Sequence, residues 1–335
     1  MNQPNPSSGS VSVVIPAYNA AHCLRDAVDS ALSQTCPPRE VIVINDGSTD
    51  ATRTTAQSYG DRIVYLEQPN LGQGAARNAG LRIAQGEFIA FLDADDYWRP
   101  EFLSTCVRFL RSHEDVIAVS TGLIVRMFDG SEEVRPEPFC TGGEPPREPF
   151  VLENFFEFWA RYDHVRTGSN LIRHSVIKQA GLQREDLRIS QDLEYWGYLA
   201  TFGKWGFIPR PLWVGNSRQA ARQEGWLARY QQRRRLCPDV RQWGARLEPR
   251  LKPGERQGYV TVKGRVAMIY AQNKILSGAR KSAYRLVQEY GATMPVCRLS
   301  RIMRWAARCG PLGWLVGCST IRLREQVKAV RLRLG

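Results

Sequence analysis

Four short apolar runs, Val11–Ile15, Glu40–Ile44, Arg62–Leu66 and Phe88–Leu92, recur within the first hundred residues, each followed by a helical pattern or a turn rich in small polar residues. Strands this apolar need cover on both faces, and parallel pairing needs a crossover that supplies it. The alternation therefore predicts an α/β fold with a parallel sheet wound in right-handed βαβ units. Leu24, Val28, Ala31 and Leu32 mark a helix within Asn19–Gln34. Thr49 or Asp50 can cap a second helix running to Tyr59, and the small residues of Gly72–Gly80 let a third lie close to a sheet or ligand. Pro16-Ala17-Tyr18-Asn19, Asn45-Asp46-Gly47 and Asp93-Ala94-Asp95 each follow a strand, so they should gather at one edge, where ligands of open α/β sheets bind.

The fourth run ends abruptly in Asp93, Asp95 and Asp96. In an extended strand Asp93 and Asp95 project to one face, and two hard anions so close call for a cation such as Mg²⁺ or Mn²⁺. An acidic turn capping the helix after Pro100 accounts for one of these aspartates but not three. A dinucleotide fold is excluded, because the turn after the first strand lacks its glycine fingerprint and Gly72-x-Gly74 lies on the wrong turn. The same gap argues against a sugar-1-phosphate nucleotidyltransferase.

Val13–Asn19, Val43–Asp50, Ala76–Gly80 and Phe91–Asp96, in that order, resemble family 2 glycosyltransferases of the GT-A fold. The resemblance is strong over residues 11–100, extends loosely to about residue 217 and fades beyond. It implies a Rossmann-like mixed sheet flanked by helices, and a nucleotide-diphosphate-sugar donor, UDP-linked by preference. Pro16, Ala17 and Tyr18 would line the base pocket, Asn19, Gly47 and Ala94 would also bind the nucleotide-sugar, and Asp46 would accept from uracil N3–H or its equivalent. Arg77 would face the nucleotide or diphosphate, Asp93 the ribose, and Asp95 a divalent metal, Mg or Mn. A surface salt bridge is the plain alternative for Arg77.

Farther along, a helix is expected over Glu101–Arg111, one or two strands over Val116–Met127, a loop over Asp129–Pro149 and a core-packing helix over Phe150–Tyr162. A polar start, Arg188–Gln191, then leads into an apolar helix with Asp192 in its first turn. The resemblance assigns Asp192 the role of catalytic base. Gln191 stands where the family carries an acid, removing one neighbouring charge without removing the base. Glu185-Asp186 is the rival, and plain N-capping the alternative for Asp192. His22, His113, His164 and His174 show no metal-ligand spacing, although His164 precedes a turn-rich Thr167–Asn170 that suits contact with a sugar. Arg218 or Arg222 would reach the diphosphate, or else simply begin the basic tail. The processive Gln-x-x-Arg-Trp motif is absent, so one sugar per encounter is expected.

Charge divides the chain. Residues 1–217 hold 20 Lys and Arg against 27 Asp and Glu, a balance of −7, whereas residues 218–335 hold 26 against 6, or +20. The second part is expected to be a basic helical extension, with helices at Trp226–Leu236, Gly258–Leu276, Ala279–Tyr290 and Ile321–Leu334. Arg233–Arg235 and the series Arg298, Arg301, Arg304 and Arg308, beside Ile302, Trp305, Leu312, Trp314 and Leu315, suit an anionic membrane surface, the alternative being a soluble helical appendage with a solvated face. No nucleic-acid-binding signature accompanies this charge. Eight scattered cysteines read as reduced core thiols. Without a secretory signal or an apolar run of about 18 residues, the expected place is the cytoplasm, at most peripheral on the membrane. The expected layout is a polar tail (1–10), a nucleotide-sugar-binding part (11–105), an acceptor-binding part (106–217) and the basic extension (218–335). The expected activity is inverting transfer of one sugar to a hydroxyl of a glycan or lipid-linked acceptor in surface polysaccharide synthesis. The rival is a catalytically silent nucleotide-sugar-binding protein.

Overall fold

The structure is a computed structural model that describes residues 10–126, 131–135, 147–162, 164–216 and 238–334. Arg218, Arg222, the helix expected at Trp226–Leu236 and Arg233–Arg235 lie outside the described residues, as does most of the loop expected before Pro149. The chain divides into two compact units, one formed by residues 1–137, 144–155 and 163–220, the other by residues 138–143, 156–162 and 221–335.

The first unit opens with β1 (Val11–Ala17), α1 (Leu24–Leu32), β2 (Glu40–Asp46), α2 (Thr52–Gln57), β3 (Val64–Gln68), α3 (Gln73–Ile83) and β4 (Phe88–Phe91). It continues through β5 (Tyr97–Trp98), α4 (Phe102–Ser112), β6 (Val116–Arg126), β7 (Glu132–Arg135), β8 (Phe150–Val151), α5 (Phe155–Arg161), β9 (Asn170–Arg173), α6 (His174–Ala180), α7 (Gln191–Ala200) and β10 (Lys204–Asn216). Helix α5 crosses into the second unit after its first residue. The sheet order is β3-β2-β1-β4-β9-β6-β10-β5, with β7 beside β6 and β8 beside β10.

The first four strands pair in parallel, as the alternating pattern predicts. Every residue of β1 is buried because this strand lies between β2 and β4 with helices on both faces. Val11, Val13, Ile15 and Ala17 join Leu24, Val28, Phe102 and Leu110 of α1 and α4 in one core. On the opposite face, α3 comes so close that a Cβ on Gly80 would stand 2.5 Å from Val14 Cγ1 and 2.9 Å from Ile44 Cδ1. A glycine is therefore needed where this helix crosses the sheet.

Beyond β4 the sheet becomes mixed: β9 runs antiparallel to both β4 and β6, whereas β6 and β10 are parallel. Val116–Arg126 forms one strand rather than two, and the described part of the expected loop holds β7, antiparallel to β6. The aromatic segment starts with β8, a two-residue strand, before α5 begins. Phe155, Phe156, Trp159 and Tyr162 are buried, so these rings serve packing.

The second unit contains α8 (Val240–Gly244), α9 (Arg256–Leu276), α10 (Arg280–Tyr290), α11 (Arg298–Arg308) and α12 (Gly310–Leu334). Trp243 stacks on the Tyr259 ring and Phe156 meets it edge-on, and Arg265 donates to the Trp159 carbonyl. The last helix begins at Gly310, eleven residues before its expected start, because the apolar segment from Leu312 to Cys318 continues the same helix.

Candidate functional site

The carboxyl ends of β2, β1 and β4 lie side by side, with Ala17 in register with Asn45 and Leu92 N–H donating to the Val14 carbonyl. Pro16 and Ala17 finish β1 and are buried, while Tyr18 is 48% exposed. Asn19 adopts the left-handed conformation (φ 49°) and links this loop to the next. Its N–H donates to Ser48 Oγ (2.9 Å) and its Oδ1 accepts from Thr49 N–H (2.8 Å). Asp50 fastens the same corner by accepting from Thr52 and Ala21. Burial pushes its carboxyl up, but these hydrogen bonds outweigh that effect and hold it below the usual carboxylate range.

Asp46, 3% exposed, anchors the turn that starts α3. Its Oδ1 accepts from Gln68 Nε2 (2.7 Å) and Leu71 N–H (2.9 Å), and its Oδ2 from Gly72 N–H (2.8 Å). Gly47, at φ 74°, passes this turn so closely that a Cβ would lie 2.6 Å from Asn70 N. On the far side, Arg188 Nη1 donates to the Leu71 carbonyl and occupies the space a Cβ on Gly72 would need. Asp46→Asn would set an amide donor against one of the donors that Asp46 now accepts from. Unfolding free energy in urea is expected to fall by about 1–3 kcal/mol; unchanged stability would show that the turn is held by other contacts.

The strand expected to carry the acidic cluster stops at Phe91, and Asp93 to Asp96 form a turn closed by Asp96 N–H to the Asp93 carbonyl (3.1 Å). Side-chain alternation therefore does not govern the direction of Asp93 and Asp95. Instead, Arg77 Nη2 donates to Asp93 Oδ1 at 2.7 Å. Arg77 is 1% exposed, and its Nε and Nη1 have no hydrogen-bond partner. This is a buried arginine of α3 aimed at the turn, not a surface ion pair. Ala94, in the same turn, is buried. Nearby, Cys23 is pushed up to about 12, by burial first and then by the negative charges of Asp95, Asp26, Asp96 and Asp50.

Among the described residues, no three His, Cys, Asp or Glu side chains form a metal cage. Mg²⁺ and Mn²⁺ in phosphate-transfer sites are commonly bound through one or two carboxylates and completed by substrate phosphates and water. Asp95, in this negatively charged corner and next but one to an arginine-paired Asp93, fits an ion of that kind and does not fit a permanently caged one.

Helix α7 brings the second chemical group to the same place. Ser190, in the left-handed conformation, precedes it, and Gln191 Nε2 donates to Gln73 Oε1 of α3 (3.3 Å). Asp192, half-buried in the first turn, accepts from Thr167 Oγ1 (3.5 Å). The rival carboxylates are occupied elsewhere: Glu185 accepts from Asn78 Nδ2 (2.9 Å) and pairs with Arg82, while Asp186 pairs with Arg184. Residues 183–188 thus fasten to α3, with Asn78 also meeting the backbone of Gln183 at 2.9 and 3.0 Å. Sequence reasoning passed over Arg188 and Gln73, whose roles depend on contacts more than a hundred residues apart. His164 is buried between the edges of Phe155 and Phe207, and His174 bonds the Gly86 carbonyl.

A family model described as Glycosyl transferase family 2 matches residues 12–179. An uncharacterised glycosyltransferase of Rickettsia prowazekii is 44% identical over 190 residues, which cover 56% of this chain and 57% of that protein. A putative teichuronic acid biosynthesis glycosyltransferase of Bacillus subtilis is 39% identical over 126 residues, covering 36% and 49% respectively. The chain thus spans about half the length of these curated relatives. Among solved structures, Staphylococcus aureus TarS in complex with UDP-GlcNAc superimposes with a TM-score of 0.54 at 16% identity, over 95% of this chain and 92% of that one. The mannosyltransferase PcManGT of Pyrobaculum calidifontis, in complex with GDP-Man and Mn²⁺, gives 0.55 at 18%, over 96% and 91%. At these identities the likeness concerns the fold, which is of the GT-A kind.

Proposed function

Since the chain belongs to glycosyl transferase family 2, we propose that it moves one hexosyl group from a nucleotide-diphosphate-sugar to an acceptor hydroxyl, with inversion. The observation that carries this proposal is the convergence at the start of α3. Gly72 N–H meets Asp46, Gln73 meets Gln191 next to Asp192, and Arg77 meets Asp93.

The base of the donor sits against Pro16, Ala17, Tyr18 and Asn19, with Tyr18 offering an exposed ring. Asp46 Oδ2, which accepts one bond from Gly72, takes a second from the N3–H of uracil or its equivalent. Gly47 leaves room beside it. Asp93 and Ala94 take the ribose, and the unpartnered donors of Arg77 take the nucleotide or diphosphate oxygens. Asp95 and the donor's phosphates would hold Mg²⁺ or Mn²⁺, which as a Lewis acid stabilises charge on the departing diphosphate. Asp192 takes the proton from the acceptor hydroxyl, whose oxygen attacks the anomeric carbon from the side opposite the diphosphate. A single displacement inverts that carbon.

The TarS complex with UDP-GlcNAc supports a UDP-linked donor, and the PcManGT complex supports a metal-assisted one. The teichuronic acid relative supports a glycan or lipid-linked acceptor in surface polysaccharide synthesis. Six described cysteines are free thiols, which supports a cytoplasmic place. Thermal shift with UDP-, GDP- and dTDP-sugars, each with and without Mn²⁺, tests the donor and the ion together. Saturation at about a hundred times Kd stabilises by about 2.7 kcal/mol. Stabilisation by a UDP-sugar only when Mn²⁺ is present is expected; an equal shift in EDTA would remove the ion.

A further inference from the structure

Helix α12 has apolar residues on two sides, and only one of them is packed. Trp314, Gly317, Cys318 and Ile321 form the inner side. There the Trp314 Nε1 donates to the Arg280 carbonyl (3.0 Å), its ring meets Tyr284 edge-on, and Gly317 lies against Ala306 of α11. Trp314, expected on the lipid-facing side, is thus a core residue with 7% exposure. At 3.6 residues per turn, Leu312, Leu315, Val316, Leu323 and Val327 fall on the other side in a stripe about 120° wide. All five are exposed, Leu312 by 78% and Leu323 by 62%.

The adjoining helix carries matching charge. On α11, Trp305 is 55% exposed, and Arg298, Arg301 and Arg308 are exposed at positions that share its face. Arg304 turns inward instead and donates to the carbonyls of Gly291 and Met294 (3.2 Å each). Residues 296–327 hold six arginines and one acid, Glu325, which accepts from Gln272.

We infer that this face, the outer stripe of α12 with the arginine-flanked Trp305 of α11, docks the protein on an anionic lipid surface. The stripe enters the boundary between headgroups and acyl chains while the arginines meet the headgroups. A second copy of the chain is a poorer occupant, because it would set six arginines against six with one acid, Glu325, on each side. Insertion across the bilayer is not in question, since no described helix is long and apolar enough to cross one. The inference goes beyond the donor chemistry and does not rest on it.

The test is co-sedimentation of the full chain with vesicles of phosphatidylcholine alone and of phosphatidylcholine with 30% phosphatidylglycerol. Binding is expected only to the anionic vesicles and should weaken as salt rises. Neutralising Arg298, Arg301 and Arg308 to Gln is expected to reduce it about a hundredfold. The triple variant Leu312→Ser, Leu315→Ser, Leu323→Ser should reduce it at least about tenfold while leaving the thermal melt unchanged. Equal binding to both vesicle types would overturn the inference, as would unchanged binding by the serine variant. So would a dimer in light scattering that the serine variant converts to monomer, because the stripe would then be covered by a second copy. Failure of donor binding in the same preparation would bear on the proposed transfer reaction alone.

Discussion

Asp192→Asn is expected to lower the turnover number for sugar transfer by about 10²–10⁴-fold while leaving donor affinity within about twofold. The substitution keeps the volume of the side chain and an oxygen able to accept from Thr167, so helix α7 and the Gln191–Gln73 contact are retained. What it removes is basicity at the acceptor hydroxyl. That loss corresponds to about 3–5 kcal/mol of barrier. Steady-state transfer kinetics and donor titration by calorimetry, performed on the same preparation, separate chemistry from binding. The control is Glu185→Gln: its carboxylate is committed to Asn78 and Arg82, so turnover should change by less than about threefold. If Asp192→Asn turns over at the wild-type rate, Asp192 is a helix-cap residue and the base is elsewhere. Absence of transfer by the wild type with every donor that binds would instead favour a silent nucleotide-sugar-binding protein, the alternative that Gln191 keeps open.

The portion of the fold legible in the sequence was the portion made by local pattern. Each of the first four strands announces itself by a short apolar run, and their alternation with helices gives the parallel pairing but not the β3-β2-β1-β4 order, because right-handed crossovers are compatible with other orders. The insertion of β9 between β4 and β6 has no such signature. It depends on pairing Phe88 with Arg173 and Ala118 with Ile172, partners more than fifty residues apart.

The site divides in the same way. Asp46, Arg77, Asp93 and Asp192 were singled out for their roles by the resemblance of their motifs to a known family, not by periodicity, and Arg77 lies inside α3 where no pattern marks it. Their partners were not. The donors to Asp46 lie 22 to 26 residues away, and Arg188 reaches Leu71 across 117. Strand alternation failed at Asp93 because Asp96 closes a turn where an extended chain was assumed. Trp314 was misplaced for a related reason: α12 has two apolar sides, and periodicity alone cannot say which one the fold covers.

Arg77→Lys separates the structural part of this arginine from its part in binding. The guanidinium is buried, with Nη2 on Asp93 and with Nε and Nη1 unmatched. Buried donors without partners cost free energy, which an anionic ligand would recover by accepting from them. Lysine keeps a positive charge for Asp93 but replaces a rigid fork with a single ammonium on a shorter reach. Resistance to urea is therefore expected to remain close to wild type, within about 1 kcal/mol. Donor affinity should drop much further, because losing two charge-assisted hydrogen bonds at about 1.5 kcal/mol each amounts to roughly a hundredfold. Arg77→Met adds a second loss, since Asp93 is then left without its cation and the folded state is weakened as well. Calorimetry with the nucleoside diphosphate alone and with the intact donor reads the affinity change, and denaturation reads the other. If the lysine variant binds nucleoside diphosphate and donor within about threefold of wild type, the two idle donors of Arg77 do not face the ligand, and the nucleotide or its diphosphate must be gripped by other groups at this edge of the sheet.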